Sequence, residues 1–337
     1  MTINRERRRL LEGLLAVAGI AVTGCARAAP SAAPDGSNKV PKKLRRPIVA
    51  RAHRDDVSNA TNGTLDAVKL QAMLGAAIAR ATGDLTPLAS FRRLFRASDV
   101  VGIKVGTLAG PGLSPHPEVV QLLANWLVAA GVREENIVIW DRLDHELERA
   151  GFKLNRGGHG LRCLGTNQDY DWTPREWGAG GSCFASILVN ELTALINVAV
   201  LKDHDLAGVS AGLKNWYGVI HNPNKYHDSG CDPYVAHLAA SPMIRGKLRL
   251  TVIDGLVAQC HGGPARSPRW AWPLNSVMVS TDPVALDTAA WRTIEEKRQQ
   301  MGLKTLVAEQ REPKWLASAA KLGLGENRWE RIEVVDV

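Results

Sequence analysis

The sequence lacks the closely spaced cysteines that hold most iron–sulfur clusters and structural zinc ions. Its five cysteines are far apart, and no two of them have the Cys-x-x-Cys spacing of such centres. No internal repeat is visible, which argues against a solenoid or a propeller. The apolar run over residues 14–24 is too short to span a bilayer as a helix. We therefore expect no iron–sulfur cluster and no transmembrane anchor.

The first residues of the chain have the pattern of an export signal. Arg7, Arg8 and Arg9 precede a Gly- and Ala-rich apolar run that ends in Val-Thr-Gly-Cys at Cys25. This pattern resembles a twin-arginine signal joined to a lipobox, and it predicts a signal over residues 1–24. The resemblance implies recognition by the twin-arginine export machinery, cleavage before Cys25 and lipidation of its sulfur. The expected location is the periplasmic side of a bacterial membrane, held there by the lipid.

Residues 25–46 are rich in Ala, Pro and Ser and then in Lys and Arg, without apolar periodicity. This composition predicts a flexible basic tether. The length and apolar content of residues 47–337 suit one large α/β domain, with two closely joined domains as the alternative. The net charge of +8 is spread along the chain rather than concentrated in one stretch. An exported protein also does not meet nucleic acid, so we expect no nucleic-acid partner.

Apolar runs and helical periodicity alternate along residues 47–337, as in an α/β fold. The strand, helix and strand predicted over residues 99–140 form a right-handed crossover, which implies parallel neighbours. The predicted fold is a mostly parallel sheet with helices on both faces, and its site lies at the carboxyl ends of the strands. Strands are expected at 47–52, 99–105, 136–140, 194–201, 248–253, 276–279 and 331–335, and helices at 65–81 and 116–130.

Several short motifs resemble those of the domain of unknown function 362 family, and the resemblance extends from about residue 51 to the end. It implies little about activity, because the family has no agreed reaction. Some relatives carry ferredoxin-type cysteine runs, which this chain lacks. The motifs are V-G-I-K-V at 101–105, H-P-E-V-V at 116–120, V-L-K-D-H at 200–204, G-L-K-N-W-Y-G at 212–218, N-P-N-K-Y-H at 222–227 and T-D-P-V-A-L-D at 281–287.

Residues 201–227 hold three of the nine histidines and three lysines, and they follow a predicted buried strand. Side chains alternate along a strand, so Lys202 and His204 should share one face while Asp203 points away. Gly208 to Gly212 then form a small-residue turn that leads into a short helix. Free N–H groups at its start, with Lys214 and Asn215 beside them, would suit a phosphate or a carboxylate. The alternative is that these small residues only allow close packing.

A proline at position 223 makes the following stretch irregular, and His221, Asn222, Lys225 and His227 lie there. His204, His221 and His227 are a candidate ligand set for a divalent metal, although each histidine alone could be structural. Loops that follow neighbouring parallel strands should add Lys104, Asp141, His116 and Asp254 to the same edge. The candidate catalytic residues are His204, Lys214 and His221. The candidate substrate-binding residues are Lys104, His116, Lys202, Asn215, Asn222 and Lys225.

In an oxidising compartment the four remaining cysteines could form disulfides, and Cys163 with Cys183 is the pair we expect. The alternatives are free buried thiols, or Cys231 and Cys260 as ligands.

Three functions stay open. The first is an enzyme acting on a small anionic substrate with metal or redox dependence, and the second is a lipoprotein that binds an anion or a metal without catalysis. The third is an assembly protein that docks through Trp270 and Trp272.

Overall fold

A nine-stranded sheet with helices on both faces dominates the computed structural model, which describes residues 46–58, 63–157 and 159–337. The predicted export signal, Cys25 and the tether up to residue 45 lie outside these residues. Within them, no helix combines the length and the apolar character needed to cross a bilayer.

The strands and helices follow one another in an α/β order. The strands are β1 Ile48–His53, β2 Val101–Val105, β3 Ile137–Asp141, β4 Arg162–Gly165, β5 Tyr170–Trp177, β6 Gly180–Ala185, β7 Ala194–His204, β8 Gly208–Ser210, β9 Leu248–Gln259, β10 Ala271–Ser280 and β11 Glu333–Asp336. The helices are α1 Ala67–Thr82, α2 Pro87–Leu94, α3 Pro117–Ala129, α4 Asp144–Arg149, α5 Ser186–Asn190, α6 Tyr234–Ala239, α7 Pro242–Arg245, α8 Pro283–Gln300 and α9 Trp315–Lys321. Short 3-10 turns cover Lys214–Val219, Pro223–Tyr226 and Asp228–Cys231.

The large sheet has the order β11-β1-β10-β9-β7-β2-β3-β4, with β8 paired to β7, while β5 and β6 form a separate hairpin. The pairs β7–β9, β2–β7, β2–β3, β3–β4 and β1–β11 are parallel, whereas β10 is antiparallel to both of its neighbours. The predicted mostly parallel sheet is therefore confirmed. Its parallel half, β9-β7-β2-β3, brings four carboxyl ends to one edge.

Alternation along β3 shows why both faces of the sheet are covered. Ile137 and Ile139 belong to one hydrophobic cluster, together with α1 and α3. Val138 and Trp140 belong to the other, together with α6, α8 and α9. A strand buried on both faces in this way is typical of parallel sheets between two helical layers.

The helix ends follow from local sequence. Asp66 caps α1 by accepting hydrogen bonds from the backbone N–H groups of Val68 and Lys69, and Gly83 ends it at φ 76°. Asp282 caps α8 in the same way, with Pro283 in the first turn. The Asp-Pro pair at the start of α8 is thus a helix N-terminus.

Two strands continue beyond their predicted ends. β7 reaches His204 rather than stopping at residue 201, because Lys202, Asp203 and His204 pair with β8. β9 continues past residue 253, so that Asp254 lies inside a strand and not in the loop we expected. Apolar content alone marked only part of each strand, although the residues that extend β7 are buried as well.

The expected disulfide is not formed. The four described cysteines are all free, with Cys163 on β4 of the large sheet and Cys183 on β6 of the hairpin. Burial raises the pKa of the Cys163 thiol to about 12, which makes it a poor nucleophile. The alternative of free thiols is the one that the structure has.

Candidate functional site

A cavity of about 600 Å³ opens beyond the carboxyl ends of β2, β3 and β7. Strand ends supply one part of its wall, and the 3-10 turns after β8 supply another. Its titratable and amide side chains include Lys104, Asp141, Arg142, Glu146, Lys202, His204, Lys214, Asn215, Asn224 and His227. Seven of the residues predicted for this edge, namely Lys104, Asp141, Lys202, His204, Lys214, Asn215 and His227, line this one cavity.

Lys104 and Asp141 form a buried ion pair at the ends of β2 and β3. The Lys104 ammonium donates to Asp141 Oδ1 at 2.7 Å, to the Val105 carbonyl at 2.6 Å and to Asn215 Oδ1 at 3.2 Å. The other carboxylate oxygen of Asp141 accepts from the backbone N–H and the hydroxyl of Thr107. Both charges are therefore satisfied within the protein, as buried charges require.

Asn215 connects this pair to the centre of the sheet. Its amide nitrogen donates to Asn197 Oδ1 at 2.8 Å, and Asn197 in turn donates to the Gly212 carbonyl at 2.7 Å. Asn197 and Lys104 are directly opposite each other in the β2–β7 pairing. The turn that carries Lys214 and Asn215 is thus tied to two strand ends.

Lys202 is the exception among the buried charges of the cavity. It is 6% exposed, and within the described residues its ammonium has no hydrogen-bond or ion-pair partner. The β7–β9 register shifts between Val200 and Lys202. Such irregularities re-aim side chains next to sites. Burial lowers the pKa of Lys202 to about 8, and Asp141 and Glu146 oppose that shift only in part.

Lys214 lies beside His227 and over an aromatic ring. Its ammonium is 3.1 Å from His227 Nε2 and 3.7 Å from the centre of the Tyr217 ring. Burial lowers the pKa of Lys214 to about 8, and burial together with the Lys214 charge lowers the pKa of His227. The Lys214 ammonium can therefore give up a proton under mildly alkaline conditions.

His204 stacks on His227, with ring centres 5.6 Å apart. Its Nδ1 accepts from the backbone N–H groups of Leu206 and Ala207, so the proton of the neutral ring belongs on Nε2. Asp205 also lies 3.0 Å from Nδ1, but its carboxylate is largely exposed. Burial, reinforced by the nearby Lys214 charge, lowers the pKa of His204 to about 2. At neutral pH this ring is a hydrogen-bond donor and not a base.

Asp203, between these two residues, points away from the cavity as the alternation predicts. Its carboxylate accepts from Arg311 at 2.9 Å and from the Gly263 N–H at 3.2 Å, and the buried Arg298 is 3.6 Å away. This network anchors the end of β7 from behind. It fixes the backbone from which Lys202 and His204 project.

The start of the Lys214 turn is already occupied by a carboxylate of the protein itself. The backbone N–H groups of Gly212 and Leu213 each donate at 2.8 Å to the two oxygens of Asp287. Burial raises the pKa of Asp287 to about 7. The prediction that a ligand anion binds these N–H groups is therefore corrected, because Asp287 of α8 takes that position.

Five of the predicted residues, Asp254 among them, do not reach the cavity wall. His116 lies at the start of α3, with its ring Nδ1 and backbone N–H on Asp254, whose charge raises the pKa of His116. His221 is exposed and packs edge-on against Tyr170 and Trp172 of the hairpin. The other two are Asn222, which accepts from Ser182, and the exposed Lys225.

His221 therefore lies apart from the stacked pair His204 and His227. In residues 46–58, 63–157 and 159–337, no group of three or more His, Cys, Asp or Glu side chains is arranged to hold a metal ion. The three-histidine ligand set is thus not assembled. The two tryptophans of the docking hypothesis are half-buried, and Arg269 and Lys297 lie over their rings.

Arg142 and Glu146 line the cavity although the sequence did not predict them there. Arg142 follows β3, and its Nε is buried without a hydrogen-bond partner. Glu146 on α4 is 8% exposed, and burial followed by the charge of Asp141 raises its pKa. The position of Arg142 directly after a predicted parallel strand was a usable signal, whereas nothing local to Glu146 distinguishes it from a helix surface residue.

The fold and the cavity define an α/β protein with a cation-lined cavity at the carboxyl edge of a mostly parallel sheet. A family model described as Domain of unknown function (DUF362) matches residues 101–292, and the chain belongs to that family. The matched residues include β2, β3 and β7 and the turns that line the cavity. None of the curated proteins compared with the chain matches it.

Proposed function

We propose that this protein is an enzyme that acts on a small organic anion bound in the cavity. The observation that carries the proposal is the buried ammonium of Lys202, which has no partner among the described side chains. A buried charge is unfavourable unless it is paired and hydrogen-bonded. An anionic ligand would supply the missing partner.

The charge balance of the cavity supports an anion over a cation. Lys104 is neutralised by Asp141, but Lys202, Lys214 and Arg142 form no ion pair with a carboxylate in the described part of the chain. Burial and the charge of Asp141 raise the pKa of Glu146, which disfavours its charged form. The ligand that fits this wall is a small molecule with a carboxylate or a phosphate group.

The neighbouring Lys214 and His227 favour an enzyme over a protein that only binds. A general acid or base works best when its pKa is close to the working pH. Lys214, with its pKa of about 8, is 3.1 Å from a histidine nitrogen that can pass a proton to it or accept one. A binding protein has no need for such a pair beside its anion.

Titration calorimetry with inorganic phosphate, sulfate and lactate tests the binding step. We expect Lys202→Met to weaken the tightest of these interactions by about tenfold or more, because a charge-assisted hydrogen bond contributes roughly 1.5–3 kcal/mol. The matched control is Lys321→Gln, which removes an exposed charge at the end of α9. Equal affinities in all three proteins, or no binding to wild type, would refute the proposal.

We propose in addition that the protein is exported by the twin-arginine machinery and held at the membrane by a lipid on Cys25. The arginines at positions 7–9, the short apolar run and the cysteine that follows it support this location. Replacing Arg7 and Arg8 with lysine should keep the protein in the cytoplasm. Cys25→Ser should leave it exported but release it from the detergent phase, and an unchanged distribution of either variant would contradict the assignment.

A further inference from the structure

Unlike the other lysines of the cavity, Lys202 has a side-chain nitrogen with no hydrogen-bond or ion-pair partner among the described residues. Lys104 donates to three acceptors, and Lys214 is held by His227 and the Tyr217 ring. Lys202 has neither kind of contact, and it lines the cavity wall. A side chain nitrogen that is both buried and free of acceptors is available to react with a bound molecule.

We propose that Lys202 is a covalent nucleophile that forms an imine with the carbonyl group of a small 2-oxo acid. This inference rests on the proposed function and names its substrate class. Lysine is activated for such chemistry by burial or by a second cation nearby. Lys202 has both features, since it is buried and Lys214 lies close enough for their charges to interact. Its pKa of about 8 makes the neutral amine available under mildly alkaline conditions.

Imine formation also requires an acid that delivers protons to the departing oxygen. Glu146 lines the same cavity, is 8% exposed and has no side-chain partner in the described residues. Burial keeps its carboxyl group protonated to a higher pH than usual. The charge of Glu146 acts on Lys202, so the two groups lie near each other. We assign Glu146 as the group that relays protons during this step.

The step balances without an oxidant or a reductant. The neutral amine of Lys202 forms a bond to the carbonyl carbon, and the carbonyl oxygen gains a proton. The C–O bond then breaks, and the oxygen leaves as water with the two protons that the amine loses, relayed through the Glu146 carboxyl. The product is a neutral imine. Its protonated form withdraws electrons from the neighbouring carbon.

Two cations remain to hold the carboxylate of the substrate. Lys214 and Arg142 line the cavity and form no ion pair with a protein carboxylate in the described ranges, and Arg142 Nε is buried without an acceptor. A guanidinium group suits a planar carboxylate because it can donate two parallel hydrogen bonds. A 2-oxo acid has its carbonyl group next to such a carboxylate. One molecule can therefore react with Lys202 while Lys214 and Arg142 bind its carboxylate.

Borohydride trapping on the full chain tests the inference. The protein is incubated at about pH 8, near the pKa of Lys202, with pyruvate, 2-oxobutyrate or 2-oxoglutarate, and sodium borohydride reduces any imine to a stable amine. We expect one adduct by intact mass, with a mass gain equal to the mass of the acid less one oxygen, and peptide mapping should place it on Lys202. Lactate, which has no carbonyl, should give none.

Two variants make the result specific. Lys202→Arg keeps a positive charge and removes the amine nucleophile, so it should lose the adduct by about tenfold or more. Lys321→Gln, exposed and outside the cavity, should trap like wild type. Circular dichroism and melting curves establish that each variant is folded. An adduct that persists in Lys202→Arg overturns the assignment, as does one mapped to Lys214 or spread over surface lysines.

The outcome also separates this inference from the proposed function. If none of the three acids is trapped while phosphate or lactate still binds in a Lys202-dependent way, the imine is refuted and the anion site stands. If no anion binds and none is trapped, both fail.

Discussion

Lys104 and Lys202 are buried lysines near the carboxyl ends of the neighbouring parallel strands β2 and β7, yet their surroundings are opposite. Lys104 has an ion pair and two further acceptors, whereas Lys202 has no partner among the described residues. The same residue type in the same part of the fold thus has two roles. Lys104 holds strand ends together, and Lys202 is left free to meet a ligand.

The neighbouring strands explain the difference. β3 runs beside β2 and ends at Asp141, which delivers a carboxylate next to Lys104. On the side of β9, Lys202 is opposite Gln259, whose amide is already used by Ala265 and Ser267. Beyond it, Asp203 is turned away to Arg311. No acceptor is therefore delivered to the Lys202 ammonium.

Removing Lys104 should have the largest effect on stability. Lys104→Met leaves the buried Asp141 carboxylate without its cation, and breaking a buried pair in this way costs about 3–5 kcal/mol. Urea unfolding measures the loss. Lys321→Met is the control, and it should change the free energy of unfolding by less than about 0.5 kcal/mol. A Lys104→Met protein as stable as wild type would mean that the pair is not holding the strand ends.

Lys202 should instead destabilise the fold in a pH-dependent way. Its pKa is about 8 in the folded protein against an ordinary 10.5, so between these values the unfolded chain binds more protons. Stability contributed by this group therefore rises with pH across that window and is constant outside it.

The rise should amount to at most about 3 kcal/mol, and Lys202→Met should lack it. Denaturant unfolding of both proteins from about pH 7 to pH 10.5 measures the difference. At the low end, Lys202→Met should be at least as stable as wild type, in contrast to Lys104→Met. Parallel curves for wild type and Lys202→Met would show that the Lys202 ammonium is well solvated or paired in solution.

Asn215 links the two lysine environments, and its loss should have an intermediate effect. Asn215→Ala removes an acceptor from Lys104 and leaves Asn197 Oδ1 without its donor. An unsatisfied buried group costs about 1–3 kcal/mol. The matched control is Asn224→Ala, an exposed amide on the cavity wall. If the two variants melt at the same temperature, the network through Asn215 carries no stability.

Much of the fold could be predicted because burial on both faces gives a parallel strand a nearly continuous apolar run. β2, β3, β7 and β9 are all visible in this way. The hairpin β5–β6 and the short β8 were not predicted, because their residues are largely polar or few in number. The ends of β7 and β9 were missed for a related reason, since pairing rather than apolar content extends them.

The site could be predicted in part, because the position of a residue at a strand end follows from the position of the strand. Lys104, Lys202 and His204 are of this kind. Asp287 could not be assigned its role, because the pairing with Gly212 and Leu213 joins residues more than seventy positions apart. His221 was misplaced because the sequence does not reveal that Phe184 and Ile220 form a bridge, which places His221 beside the hairpin.

Single substitutions of His221 and His227 should have the smallest effects, and they test whether the partner of a cavity lysine matters for anion binding. His221→Ala removes an exposed ring that touches only Tyr170 and Trp172 by ring contact, so the free energy of unfolding should change by less than about 0.5 kcal/mol. Phosphate affinity should not change. His227→Ala removes the acceptor of Lys214, and we expect phosphate to bind about threefold or more weakly, because the ammonium is no longer held in place. Calorimetry on both variants measures this, and a loss of affinity in His221→Ala alone would move the site from the cavity to the hairpin.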